Sequence, residues 1–360
     1  PGVARRDAWS RLTYRRGGAG GYSPPLPKSR RPSPLMSHVL RPTLGSTPAL
    51  AVLLVASGWL GACAPSDATP DEEPVAMTET TMAAPDIQAT NAFYYYEDVD
   101  AAWAFYTDVL GLETAADFGF AKIMRVAEAS YLTLVNAEDG MHSADEPKSV
   151  TLAIVTEQVE EWWAYLSEQG VEMRAGFNYE EGQAHDGFVA IDPEGYFLEV
   201  ERFNPHAENV DLMPILNAVE PITTSHGLTI QGTVFWLYYE SLAPNEAFYE
   251  ELLGVDLLVD QGWAKVYQAS PTGFVGLVDG ARGLHQATEE KGVTVSFFTS
   301  DIDAWVERIR AQGLETRSEE VGDESGRVRT FVAYDNEGYF LEWDTFLDVE
   351  GNERLMELLR

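Results

Sequence analysis

From residue 91 onward the chain alternates between two hydrophobic rhythms. Asn91 to Glu97 (NAFYYYE) is a β-prone aromatic run. It gives way to Val99, Ala102, Trp103, Tyr106, Val109 and Leu110, spaced by threes and fours as on one face of a helix. Asp98 stands where an N-cap belongs and Gly111 where such a helix stops. Three short strands are predicted next, over Leu112 to Ala116, Phe120 to Ala127 and Ser130 to Asn136, followed by a polar hinge from Asp139 to Lys148. The order then restarts: a strand over Val150 to Thr156, a helix over Glu157 to Gln169, Gly170, and strands near Val171 to Gly176, Phe188 to Ile191 and Tyr196 to Phe203. The unit is βαβββ, twice.

The whole block is repeated. DPEGYFLE at Asp192 to Glu199 returns as DNEGYFLE at Asp335 to Glu342, a shift of 143 residues (192 to 335). The same shift pairs Phe105, Tyr106, Leu110 and Gly111 with Phe248, Tyr249, Leu253 and Gly254, and Lys122, His142 and Trp162 with Lys265, His285 and Trp305. A weaker half-repeat of 59 residues pairs Trp103 with Trp162 and Gly111 with Gly170. Residues 91–218 and 233–360 are therefore two copies joined by a linker over 219–232, and each copy closes on a short amphipathic segment, Ala207 to Ala218 and Asn352 to Arg360. Pro214 is placed to shorten the first of these.

These words carry a family resemblance. The βαβββ order in four modules, FYxxxLG at Phe105 and Phe248, and the two EGYFLE words resemble the vicinal oxygen chelate superfamily, which includes glyoxalase I, extradiol dioxygenases and bleomycin-binding proteins. The resemblance implies an α+β fold in which paired modules curl their sheets into cups with helices outside and the ligand within. It also implies a metal carboxylate on the last strand, a position that falls on Glu199 and Glu342. The family's other ligand positions fall on Asn91 and Val234, Thr133 and Gly276, and Thr151 and Thr294, none of them an imidazole.

Strand alternation places Phe197, Glu199 and Glu201, with Phe340, Glu342 and Asp344, on concave faces. By the same rule Phe93, Tyr95 and Tyr131 join Phe197 in the first copy, and Trp236, Tyr238, Phe274, either Phe297 or Phe298, and Phe340 line the second. A cup carboxylate needs a partner. Lys122 and Lys265 are candidates for pairing with Glu199 and Glu342, the alternative being that both lysines face solvent. His142 and His285 in the hinges, and His185 near Tyr179 and Asp186 on a loop at the cup mouth, are the remaining candidates for a metal.

The ends of the chain change the picture of where it works. The first 62 residues hold nine Lys or Arg and one acid, and the rest hold 15 basic and 57 acidic residues. So acidic a surface disfavours nucleic acid as a partner. Residues 1–35 have no hydrophobic period and read as an upstream extension, with Met36 as the start. Residues 36–62 have the pattern of a signal peptide, with the apolar run Ala49 to Leu60 too short to span a bilayer. Leu60-Gly61-Ala62-Cys63 resembles a bacterial lipobox, so Cys63, the one cysteine, is the expected lipidation site of an exported, membrane-anchored lipoprotein. Residues 63–90 read as an acidic tether.

Three functional readings follow. The first is a metal-free binder of a small, partly aromatic molecule. The second is a metal-dependent lyase, isomerase or dioxygenase using Fe, Zn, Ni or Mn. The third is a non-catalytic interaction module. A monomer with the two copies acting as fused subunits is expected, with a homodimer as the alternative.

Overall fold

The computed structural model describes residues 83–360, so the signal, lipobox and most of the tether lie outside the described residues. Module 1 comprises β1 (Ala89–Tyr96), α1 (Val99–Ala104), β2 (Glu113–Asp117), β3 (Ala121–Ala127) and β4 (Ser130–Asn136). Module 2 comprises β5 (Val150–Val155), α2 (Val159–Glu168), β6 (Met173–Asn178), β7 (His185–Ile191) and β8 (Phe197–Phe203). Helix α3 (Leu212–Ala218) and a hairpin of β9 (Ile222–Thr223) and β10 (Thr229–Ile230) lead to the second copy. Module 3 comprises β11 (Gly232–Tyr239), α4 (Leu242–Leu253), β12 (Leu257–Asp260), β13 (Ala264–Gln268) and β14 (Gly273–Asp279). Module 4 comprises β15 (Val293–Phe298), α5 (Ile302–Ala311), β16 (Gly322–Glu324), β17 (Val328–Tyr334) and β18 (Phe340–Phe346), and α6 (Glu353–Leu358) ends the chain.

The local grammar is as the sequence reads. Asp98 caps α1 by accepting the Ala101 N–H at 3.0 Å, and the helix continues through Phe105–Val109 with a wider π-type turn. Gly111 and Gly254 end their helices at φ of 72° and 67°, where a side chain would be strained. The boundary difference that bears on the site is at β7, which begins at His185, so His185 and Asp186 belong to a strand rather than a mouth loop. The buried Asp186 is engaged by Arg202 and Asn204, each at 2.8 Å, and this pairing extends the ladder.

Eight strands form each of two mixed sheets, and each sheet draws one module from each copy. The first runs β16-β17-β18-β15-β1-β4-β3-β2 and the second β12-β13-β14-β11-β5-β8-β7-β6. Module 1 thus joins module 4 through antiparallel β1 and β15, and module 2 joins module 3 through β5 and β11. This corrects the grouping expected from the repeat, in which each copy lines its own cup. Cup A is made by modules 1 and 4, and cup B by modules 2 and 3.

The repeated words are joints. Asp192 accepts hydroxyl bonds from Tyr96 at 2.6 Å and Tyr106 at 3.2 Å, across from module 2 to module 1. Glu194 accepts the N–H groups of Glu97 and Asp98, both at 2.8 Å, fixing the turn into α1. In the second copy Asp335 accepts from Tyr239 and Tyr249, and Glu337 accepts from Glu240 and Ser241. The convex faces of both sheets and the helices share one core, which contains Trp162, Trp305 and Trp343. Helices α3 and α6 instead plug the cups: Leu212 and Leu216 pack with Phe203 and Phe274 in cup B, and Leu355 packs with Tyr131 and Phe298 in cup A.

Candidate functional site

Register lays the concave residues out in rows. In cup A, Tyr131, Asn91, Ser296 and Glu342 are successive neighbours across β4, β1, β15 and β18. The next row is Thr133, Phe93, Thr294 and Phe340. Cup B repeats the layout with Phe274, Val234, Ala153 and Glu199, then Gly276, Trp236, Thr151 and Phe197. Of the residues expected to line a ligand site, Phe93, Tyr95, Tyr131, Phe340 and Glu342 meet in cup A, and Phe197, Glu199, Trp236, Tyr238 and Phe274 meet in cup B. Phe298 packs on Tyr131 in cup A with ring centres 5.4 Å apart, whereas Phe297 faces the core beside Trp343.

The lysines point the other way. Lys122 shares the convex phase of Met124 and Val126, and its ammonium sits 3.1 Å from Asp117, 3.6 Å from Asp100 and over the Trp103 ring. Lys265 pairs with Asp260 at 2.6 Å and Glu246 at 3.6 Å. Neither reaches a cup carboxylate, which corrects the expected pairing. Both are nevertheless buried against their own module's helix rather than solvated.

Each cup instead has two carboxyl groups on alternate residues of its last strand, joined in cup A by the nearby Glu324. The sequence reading placed Glu201 and Asp344 on the concave face but gave the chemistry to one acid per cup. Burial raises Glu199 to about 7. Burial, with Glu199 alongside, pushes Glu201 well above the carboxylate range. In cup A, burial together with the neighbouring Asp344 pushes Glu342 up strongly. Burial raises Asp344 to about 7 against the opposing bond from Ser296. In each cup these shifts favour the protonated form of the pair near neutral pH.

The hinge histidines cover the cups. His142 lies between Tyr95 and Phe340, at 5.0 and 4.3 Å between ring centres, and its Nδ1 is 2.6 Å from Glu146. His285 stacks on Phe197 at 4.3 Å and meets Tyr238 at 5.0 Å, and burial drives it down to about 4, so it is neutral. In each case the ring bridges the two modules that form the cup.

Cup B opens into a cavity of about 190 Å³ bounded by Glu199, Glu201, Phe203, Trp236, Tyr238 and Trp263, with His185 and Arg282 also on its wall. The Trp236 ring lies flat across Gly276, where a Cβ would come within 2.1 Å of it. In cup A the equivalent pair is Phe93 and Thr133.

The donor sets do not fit the metal that the fold family implies. In cup B the positions of Val234 and Gly276 carry no ligating atom, and the indole covers the second. In cup A the Asn91 Oδ1 already accepts from Thr133 at 2.9 Å, and Thr294 is bonded to the Tyr95 hydroxyl at 2.8 Å. Among the described residues no group of three or more His, Cys, Asp or Glu side chains is gathered to hold an ion.

Residues 80–200 match the sequence model of the Glyoxalase/Bleomycin resistance protein/Dioxygenase superfamily. No curated protein matches the sequence. Among solved structures, a glyoxalase I variant from Zea mays is similar with a TM-score of 0.50 and 16% identity, covering 76% of this chain and 95% of its own. A putative dioxygenase from Bacillus subtilis is similar with a TM-score of 0.52 and 15% identity, covering 73% of this chain and 86% of its own. At these identities the likeness speaks for the fold. The family match falls on the first two modules and the second copy repeats their architecture, so the fold is that of the vicinal oxygen chelate superfamily, in tandem.

Proposed function

We propose that this protein is a tandem glyoxalase-like binder that takes a small, partly aromatic molecule into cup B without a metal ion, and that lipid on Cys63 tethers it to a membrane on the far side of an export step. The observation that carries the binding reading is the cup B cavity itself. It has aromatic walls and two carboxyl groups at the position where the family's metal carboxylate would stand, with a valine, a glycine and a threonine at the other ligand positions. Such a wall supplies stacking area and proton-bearing polar groups, which is the composition of a recognition site.

Tethering is supported by the lipobox-like LGAC and the acidic tether, and by nothing in the folded region. No helix of the described residues is long and apolar enough to cross a membrane.

Native mass spectrometry of the full chain with elemental analysis tests the binding reading. The expected result is a chain free of stoichiometric transition metal that is stabilised to heat by flat, partly apolar compounds. Near-stoichiometric Fe, Ni, Zn or Mn that Glu199→Gln or Glu342→Gln abolishes would overturn it in favour of a metal-dependent enzyme. Tethering is tested separately by the mass of the mature N-terminus and its loss in Cys63→Ala.

A further inference from the structure

We propose that the cup B cavity is built for a flat organic cation presenting two N–H donors along one edge, of the amidinium or protonated aminoheterocycle class. This rests on the binder reading and adds the charge and bonding pattern of the ligand.

The first ground is an uncompensated pair of acids. Glu199 and Glu201 project from one face of β8 into the same cavity. Glu201 is 2% exposed, and its Oε1 has no hydrogen-bond partner. The Trp236 indole N–H stands beside Glu201 without completing a hydrogen bond and is itself unpartnered. No described basic side chain forms an ion pair with either glutamate. A buried carboxyl without a partner loses more than it gains, so the pair is held for something that enters.

The second ground is where the cations are. Arg282, on the cavity wall, lies over the Trp263 ring at 5.0 Å, and Arg174 lies over Phe197 at 6.0 Å. Burial lowers His185, and His285 is neutral. Arg282 and Arg174 thus stack on aromatic rings rather than pair with the two acids, and His285 is neutral.

The third ground is the wall. Trp236, Tyr238, Trp263 and Phe203 line the cavity, and a cation against aromatic rings is favoured beyond simple burial. Two donors on one edge match a carboxylate better than a single ammonium does, because both oxygens are used. The acidic exterior, −34 overall, raises the local concentration of cations and lowers that of anions.

An isosteric series tests this on the full chain by calorimetry: benzamidinium, benzamide and benzoate, which share shape and differ in charge. Benzamidinium is expected to bind about tenfold or more tightly than benzamide, and benzoate not at all. Glu199→Gln and Glu201→Gln should each remove that advantage and leave benzamide unchanged. Glu342→Gln in cup A should leave the preference for benzamidinium over benzamide as it is. Equal binding of benzamidinium and benzamide would overturn the cation assignment while leaving the binder reading intact. Failure of all three to bind would overturn it too, and the binder reading is then judged by heat stabilisation with other flat compounds. Loss of benzamidinium binding in Glu342→Gln alone would place the cation in the wrong cup and refute the assignment.

Discussion

The Tyr196 hydroxyl accepts the backbone N–H of Tyr95 at 2.9 Å and donates to the Gly292 carbonyl at 2.8 Å. One side chain of module 2 is therefore fastened to both sides of the seam between modules 1 and 4. Tyr339 does the same for the other seam, accepting from Tyr238 N–H at 2.8 Å and donating to Ser149 O at 2.7 Å. Tyr196→Phe leaves a buried N–H and a buried carbonyl without that partner. A loss of about 1–3 kcal/mol is expected, read from the urea midpoint at unchanged slope. Tyr339→Phe should cost a similar amount, and a loss in neither variant would show that the seams are held by their ladders alone.

The acid pairs make stability fall as pH rises. Glu199 and Asp344 are raised to about 7, and Glu201 and Glu342 higher, all above their unfolded values. A carboxyl raised in the folded state contributes stability that is complete below its unfolded value and is lost as pH climbs through the folded one. The thermal midpoint of ligand-free protein is therefore expected to drop between pH 5 and pH 8. Glu201→Gln and Glu342→Gln should flatten that drop, each by roughly half if the two cups titrate independently. A midpoint that rises over the interval would mean the acids are ionised and paired in the fold.

Lys122 now has a role that can be separated from the cup. The residue is 4% exposed, its ammonium held by Asp117 and by the Trp103 face on the convex side of the sheet. Lys122→Met keeps the stem's packing and strands a partly exposed acid, so a loss of about 1–2 kcal/mol is expected with ligand affinity in either cup unchanged. A variant that lost cup binding without losing stability would return the lysine to the site.

The contrast between those residues shows what the sequence could carry. Alternation along Phe197 to Glu201 and Phe340 to Asp344 found the concave faces, because a strand's period is fixed by its geometry. It could not choose the phase of β3 or β13, where Ala121 and Met124, or Val266 and Tyr267, are apolar on opposite faces and Lys122 has no polar neighbour to mark its side. Nor could it say which modules share a cup. β1, β5, β11 and β15 are equivalent apolar edges, and the repeat is satisfied whether module 1 joins module 2 or module 4. The choice is written in long-range bonds such as Tyr196 to Gly292, in words the repeat displays but does not explain. Reading one acid per cup came from matching a family pattern of one carboxylate, and the i, i+2 spacing of Glu199 and Glu201 was the signal that pointed to two.

Gly276 separates the two cups most sharply. The Trp236 ring passes over it so closely that an added Cβ would lie 2.1 Å from Cε3 and 2.5 Å from Cζ3, and both atoms belong to a rigid ring with no flexible end to yield. The equivalent position in cup A is Thr133, which bonds Asn91 and tolerates a side chain because Phe93 replaces the indole. Gly276→Ala must therefore tilt Trp236 out of its seat or push β14 away from β11. An overpacking loss of about 1–3 kcal/mol is expected. Because the indole also forms the cavity wall beside Glu201, its fluorescence should shift and cup B should lose its ligand. Gly276→Thr should exaggerate each effect, and Thr133→Gly should leave Trp236 emission as it is. If Gly276→Ala unfolds, fluoresces and binds like the natural chain, the indole is free to move, and the wall on which the cup B site depends is not fixed.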